Sequence, residues 1–151
     1  MNRSTRAAAI TAVVASVSVL ASVAPAHATE RATVTTAVSC QAGKAGWFEY
    51  TEFRGEATVQ MDYDPGADRM RAEVLQYRIT PIIGSSGGDS ANVNVDQGGN
   101  WARSADAMKQ DGRWHPLNIA VTGDGDWGRV QFIFDQSGVK DPRCTASYHL
   151  P

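Results

Sequence analysis

A chain of 151 residues with 42% hydrophobic side chains and twelve aromatics has room for one domain with a real core. Fourteen basic against sixteen acidic side chains, a net charge of -2, exclude a basic nucleic-acid binder and a strongly acidic disordered chain.

Residues 1–28 read as a secretory signal peptide. Arg3 and Arg6 form the positive start, Ala7 to Ala24 the apolar run, and Ala26-His27-Ala28 a small-x-small cleavage site. Cleavage before Thr29 leaves a single domain over residues 29–151. Removing Arg3 and Arg6 from the 14 basic side chains leaves 12 against 16 acidic, a net charge of -4. Such a domain has no electrostatic reason to hold nucleic acid or anionic lipid. No later stretch reaches the roughly 18 apolar residues of a membrane span, so the expected location is extracellular, with no membrane contact after cleavage.

Beyond the leader the chain alternates like strands. Ala32 to Ser39 is long enough for the first. Ala57, Val59, Met61 and Tyr63 then share one face, with Thr58, Gln60 and Asp62 on the other, the period of a half-buried strand. Asp64-Pro65-Gly66-Ala67-Asp68 is a turn. Met70 to Thr80 follows, with Leu75, Tyr77 and Ile79 on one face and Pro81, which lacks an N–H, as its end. Gly84 to Ser90 and Gln97 to Asn100 read as long loops on either side of the alternating Ala91 to Asp96. Ser104 to Gln110 has the cap and composition for a turn or two of helix, stopped by Gly112. Leu117, Ile119 and Val121 mark another strand. Val130, Phe132 and Phe134 mark its expected partner, across a Gly123 to Gly128 turn. Cys144 to Tyr148 is the last. Seven to eight short strands with Gly-rich turns predict an all-β antiparallel sandwich, with a small closed barrel as the alternative.

Cys40 and Cys144 lie near the two ends of the mature chain. In an exported protein they pair by default, and the bond would tie the first strand to the last.

Convincing catalytic groups are few. Asp62, Asp64 and Asp68, and again Asp124 and Asp126, read first as hairpin-turn residues that cap local N–H groups, and only second as candidates for the oxygen-rich loops that hold Ca²⁺. Glu49, Glu52 and Glu56 could pair as carboxylates, but Glu49 and Glu52 point to opposite faces of a strand. His115 and His149 form no triad. Gly84-Ser85-Ser86-Gly87-Gly88 spells G-x-S-x-G, yet no helix follows to expose the serine. The expectation is therefore no catalytic residue, no cofactor and no metal. Of the tryptophans, Trp47 and Trp114 read as core. Trp101, after a Gly-Gly-Asn loop, and Trp127, inside a turn, read either as lids folded back over the sandwich ends or as exposed aromatics that stack on a sugar or anchor a protein, with Trp127 the more exposed.

Phe48-Glu49-Tyr50-Thr51-Glu52-Phe53-Arg54-Gly55 resembles the βγ-crystallin Greek-key signature, aromatic-x₄-aromatic-x-Gly, and that resemblance would imply a Ca²⁺-binding domain. More of the chain resembles a group of small secreted actinobacterial proteins without assigned activity. That likeness is carried by the leader, Ala91-Asn92-Val93-Asn94-Val95, Asp111-Gly112-Arg113-Trp114, Phe134-Asp135-Gln136-Ser137-Gly138 and Asp141-Pro142-Arg143-Cys144. The function expected is a secreted, non-enzymatic binding module for an extracellular glycan or protein. The alternative is a protease inhibitor presenting the Gly84 to Ser90 loop.

Overall fold

The computed structural model describes residues 31–45, 50–83, 88–136 and 140–151. The leader read over residues 1–28 lies outside them, as do Trp47, Phe48, Glu49 and residues 84–87 of the Gly84 to Ser90 loop. Among the described residues there is no helix and nothing helical long enough to cross a membrane.

Eight strands form two antiparallel sheets: β1 (Ala32–Ala45), β2 (Tyr50–Asp64), β3 (Arg69–Ile83), β4 (Asn92–Gln97), β5 (Asn100–Arg103), β6 (His115–Asp124), β7 (Trp127–Ile133) and β8 (Arg143–His149). The first sheet runs β1-β2-β3-β6 and the second β5-β4-β7-β8, so the sandwich is open rather than a closed barrel. The chain makes a three-strand meander, crosses for the β4–β5 hairpin, returns to place β6 beside β3, and crosses again. β6 and β7 are therefore not hairpin partners: β6 pairs with β3, and β7 with β4 and β8. Their short link at Gly125 and Asp126 carries the chain between sheets.

The alternation over β2 holds, and Ala57, Val59 and Met61 are fully buried. Along β3 the pattern changes phase. Met70, Ala72 and Val74 face the core, then Tyr77 and Ile79, because Leu75 is skipped in the registers with both β2 and β6. This is a β-bulge: one extra residue moves every later side chain to the opposite face. Leu75 is consequently half-buried rather than in line with Tyr77 and Ile79. Nor does Pro81 end β3, which runs on to Ile83 with Pro81 opposite Phe53. Pairing with β6 stops at Tyr77, so Pro81 stands on an edge, where its missing N–H costs the ladder nothing. At that edge the Ile79 carbonyl accepts the Gly112 N–H at 2.9 Å instead.

Two expected loops are shorter or different. Gln97 pairs with Asn100 across a two-residue Gly-Gly turn, with φ of 58° at Gly98 and 86° at Gly99. That left-handed backbone is what a tight hairpin requires. Ser104 to Gln110 is irregular rather than helical, with a bend at Asp106 and an isolated bridge from Met108 to Ala91. Ser104 Oγ accepts the Val93 N–H at 2.9 Å, and the Ser104 N–H donates to Asn94 Oδ1 at 3.2 Å. Its capping chemistry is thus spent on β4 rather than on a helix.

The core fills the space between the sheets. Phe53 from β2 stacks on Phe134 with ring centres 5.1 Å apart, and Phe134 on Phe132 at 6.3 Å. The Cys40–Cys144 disulfide joins the edge strands β1 and β8.

At the far end of the core Tyr148 is 2% exposed and donates its hydroxyl to the Asp96 carbonyl at 2.8 Å. Burial, helped by the nearby Asp96 charge, pushes its phenol well above the ordinary 10.0. The stabilisation this represents is whole below pH 10. Above it, the unfolded chain releases the proton while the folded chain keeps it, so stability falls with rising pH. One such group contributes about 1.4 kcal/mol per pH unit. Denaturant melts of wild type and Tyr148→Phe at pH 9, 10 and 11 should show a shallower alkaline loss in the variant. Tyr63 and Tyr77, also raised, sustain the remaining slope. Parallel slopes in the two proteins would refute the assignment to Tyr148.

Candidate functional site

The two sheets present different outer faces. On the first, charges pair with one another. Arg78 Nη2 reaches Glu56 at 2.7 Å, Arg71 reaches Glu73 at 2.6 Å and Asp62 at 3.6 Å, and Arg54 reaches Glu56 at 3.5 Å. Such a face is solvated and self-satisfied.

The second sheet is built otherwise. Alternation turns Val93 and Val95 of β4, and Val130 and Phe132 of β7, into the core. It therefore turns Asn92, Asn94 and Asp96, and Trp127, Arg129, Gln131 and Ile133, outward. Register then aligns them. Trp101, Asp96, Arg129 and Ser147 form one row across four strands, and Arg103, Asn94, Gln131 and Thr145 the next.

Asp96 and Arg129 anchor the first row. Arg129 Nε and Nη2 both donate to Asp96 Oδ2, at 2.8 and 2.5 Å. Asp96 is fully buried although it points away from the core, with the Arg129 guanidinium bonded across it. That guanidinium lies 5.4 Å from the ring centre of Trp101 and 5.4 Å from that of Trp127. Cation–π contact on both sides holds two indoles in place while each keeps surface free, 38% for Trp101 and 49% for Trp127.

In the second row Asn94 Nδ2 donates to Gln131 Oε1 at 3.4 Å. Beside it opens a depression of about 460 Å³, lined by Asn92, Asn94, Trp101, Arg103, Gln131 and Arg143 among others. Its size falls within the range of small-molecule sites.

The other sequence candidates do not come together. Asp62 accepts from Thr33 at 2.8 Å, Asp64 pairs with Arg31 at 3.2 Å and caps the Gly66 N–H at 3.0 Å, and Asp68 accepts from Tyr63 at 2.9 Å. Asp124 pairs with Arg69 at 3.6 Å, and the Asp126 carbonyl accepts the Leu150 N–H. Among the described residues no three His, Cys, Asp or Glu side chains converge as a metal site would require. Glu56 is held by arginines on the first sheet. His115 Nε2 meets Asp111 Oδ1 at 2.8 Å, and this bond holds the Asp111 carboxyl below its usual value. Trp114, expected in the core, is 41% exposed with the Arg78 guanidinium 4.9 Å from its ring centre. It precedes β6 at the edge of the first sheet, so no second layer covers it.

Trp127 starts β7 rather than sitting in a turn, and Trp101 lies in β5. Sequence reading singled out these two and missed Asp96, Arg129, Arg103, Arg143, Asn94 and Gln131. The signal was available: in an alternating strand, polar residues between core valines must share the outer face.

No family model, curated protein or solved structure matches this chain.

Proposed function

We propose that this protein is a secreted, non-enzymatic carbohydrate-binding module whose site is the outer face of the β5-β4-β7-β8 sheet. One observation carries the reading: Trp101 and Trp127, far apart in sequence, are fixed on either side of Arg129, and Trp101 also lines an open depression of amides and guanidiniums beside them. Exposed indoles offer flat apolar surfaces to the C–H faces of sugar rings, while Asn92, Asn94 and Gln131 offer donors and acceptors to hydroxyls. Asp96, the carboxylate on these strands, is sealed beneath Arg129, so the face binds through stacking and hydrogen bonds. A protein partner would favour an apolar, fully desolvated centre, whereas here the centre is polar.

The test is retention of the mature protein on a panel of immobilised polysaccharides and cell-wall preparations. A stacking contact worth about 0.5–1.5 kcal/mol corresponds to roughly 2- to 12-fold in affinity. Trp101→Ala and Trp127→Ala should each lose that much while melting within about 3 °C of wild type, since neither indole supports the core. Failure of the wild type to bind any glycan, or undiminished binding by both variants, would remove the reading in favour of a protein partner.

A further inference from the structure

The arginines of this domain divide into two kinds. Arg31, Arg54, Arg69, Arg71 and Arg78 each pair with a carboxylate, and Arg113 lies near Asp111. Arg129 is committed to Asp96; drawing it toward a ligand would strand a buried carboxylate, at a cost of several kcal/mol. Arg103 and Arg143 differ. Both are exposed, and neither guanidinium has an ion-pair partner among the described residues. Both line the same depression, from opposite edges of the sheet: Arg103 on β5 and Arg143 on β8.

This face therefore carries two surplus positive charges on a chain whose overall charge is negative. With strands about 4.8 Å apart, β5 and β8 stand roughly 14 Å from each other, and the two side chains can reach inward over Asn94 and Gln131. A ligand lying across the strands would meet indole, amide and a cation at each end.

Resting on the glycan reading above, we infer that the ligand is an acidic polysaccharide, one whose sugar rings carry carboxylate or phosphate groups, with Arg103 and Arg143 reading the charge and Trp101 and Trp127 the rings. Guanidiniums suit both anions, since their planar fork matches carboxylate and phosphate alike. The charge is read at a solvent-exposed rim, so binding weakens as salt rises.

The experiment uses two matched pairs of polymers: polygalacturonate with its methyl ester, and a phosphomannan with the same mannan after dephosphorylation. Each pair keeps the rings and removes the charge, and the two pairs distinguish carboxylate from phosphate as the source. The acidic member of at least one pair should bind the mature protein 10-fold or more tighter than its neutral twin at low salt. Arg103→Gln/Arg143→Gln should abolish that preference with melting unchanged, whereas Trp127→Ala should weaken both members alike. Equal binding of acidic and neutral members overturns the inference and leaves the glycan reading standing. So does a preference that survives in the double variant, which would confine the two arginines to guarding sheet edges. Binding to none of the four polymers overturns the inference, and retention on the wider polysaccharide and cell-wall panel then decides the glycan reading separately.

Discussion

Reducing the Cys40–Cys144 bond should lower the melting temperature by roughly 15 °C, the largest single effect expected from any covalent change in this domain. The two cysteines are 104 residues apart, so their bond closes nearly the whole domain into one loop. For a loop of about 100 residues the chain-entropy model assigns about 4.7 kcal/mol to the restriction of the unfolded state. At this size each kcal/mol moves the melting point by about 3–5 °C. The bond also lies where no hydrogen-bonded ladder acts. β1 and β8 are edge strands of different sheets, and the disulfide holds their Cα atoms 5.9 Å apart at this point. Thermal melts with and without a thiol reductant, and of Cys40→Ser/Cys144→Ser, measure the effect. A reduced protein melting within about 3 °C of the oxidised one would show that the two sheets hold this edge without help.

Phe132→Ala should destabilise by about 3–5 kcal/mol, the range for deleting a buried aromatic ring. Its setting makes a sharper prediction possible. Cys40 lies opposite Gly55 on β2, and Cys144 opposite Phe132 on β7. Facing sheets ordinarily stand about 10 Å apart. Here the disulfide draws the edges closer, and one strand inward Gly55 faces Phe132 directly. A Cβ at residue 55 would come within 2.6 Å of Phe132 Cδ1. Alanine in place of a strand glycine ordinarily gains about 0.5–1 kcal/mol. In this position overpacking, typically 1–3 kcal/mol, outweighs that gain, so Gly55→Ala should be destabilising. In the smaller Phe132→Leu background the same substitution should cost less or even stabilise. Denaturant melts of the four proteins in that cycle give the coupling directly. Strict additivity would mean that the ring and the residue 55 position do not share the space.

Much of the architecture was legible in the residue order. The period-2 run from Ala57 to Met61 is the core face of β2, and Val93, Val95, Val130 and Phe132 are buried as their alternation implies. The two cysteines had one possible intramolecular pairing, and they make it. Local pattern failed where the outcome depended on neighbours. The bulge at Leu75 is decided by two flanking strands at once, and no propensity within Met70 to Thr80 announces it. Ser104 has the chemistry of a helix cap, but β4 offers its hydroxyl and N–H better partners than an isolated helical turn would.

The candidate site divides in the same way. The sequence itself determined that residues 91–97 and 127–133 each have one apolar and one polar side, because side-chain direction along a strand is a local property with a period of two. It also marked Trp101 and Trp127 as aromatics flanked by turn-forming residues. That β4 and β7 are neighbours, that Asp96 lies beneath Arg129, and that both tryptophans meet at that guanidinium are facts of register. Gly55 is the clearest contrast: read along the chain it ends a stretch that resembles the βγ-crystallin Greek-key signature, and in the fold it is the gap that admits Phe132 from the other sheet. Register is set by summing side-chain burial over both sheets, with the β6 and β7 crossovers and the disulfide as constraints. Those terms couple residues many positions apart, so only the tertiary structure decides them.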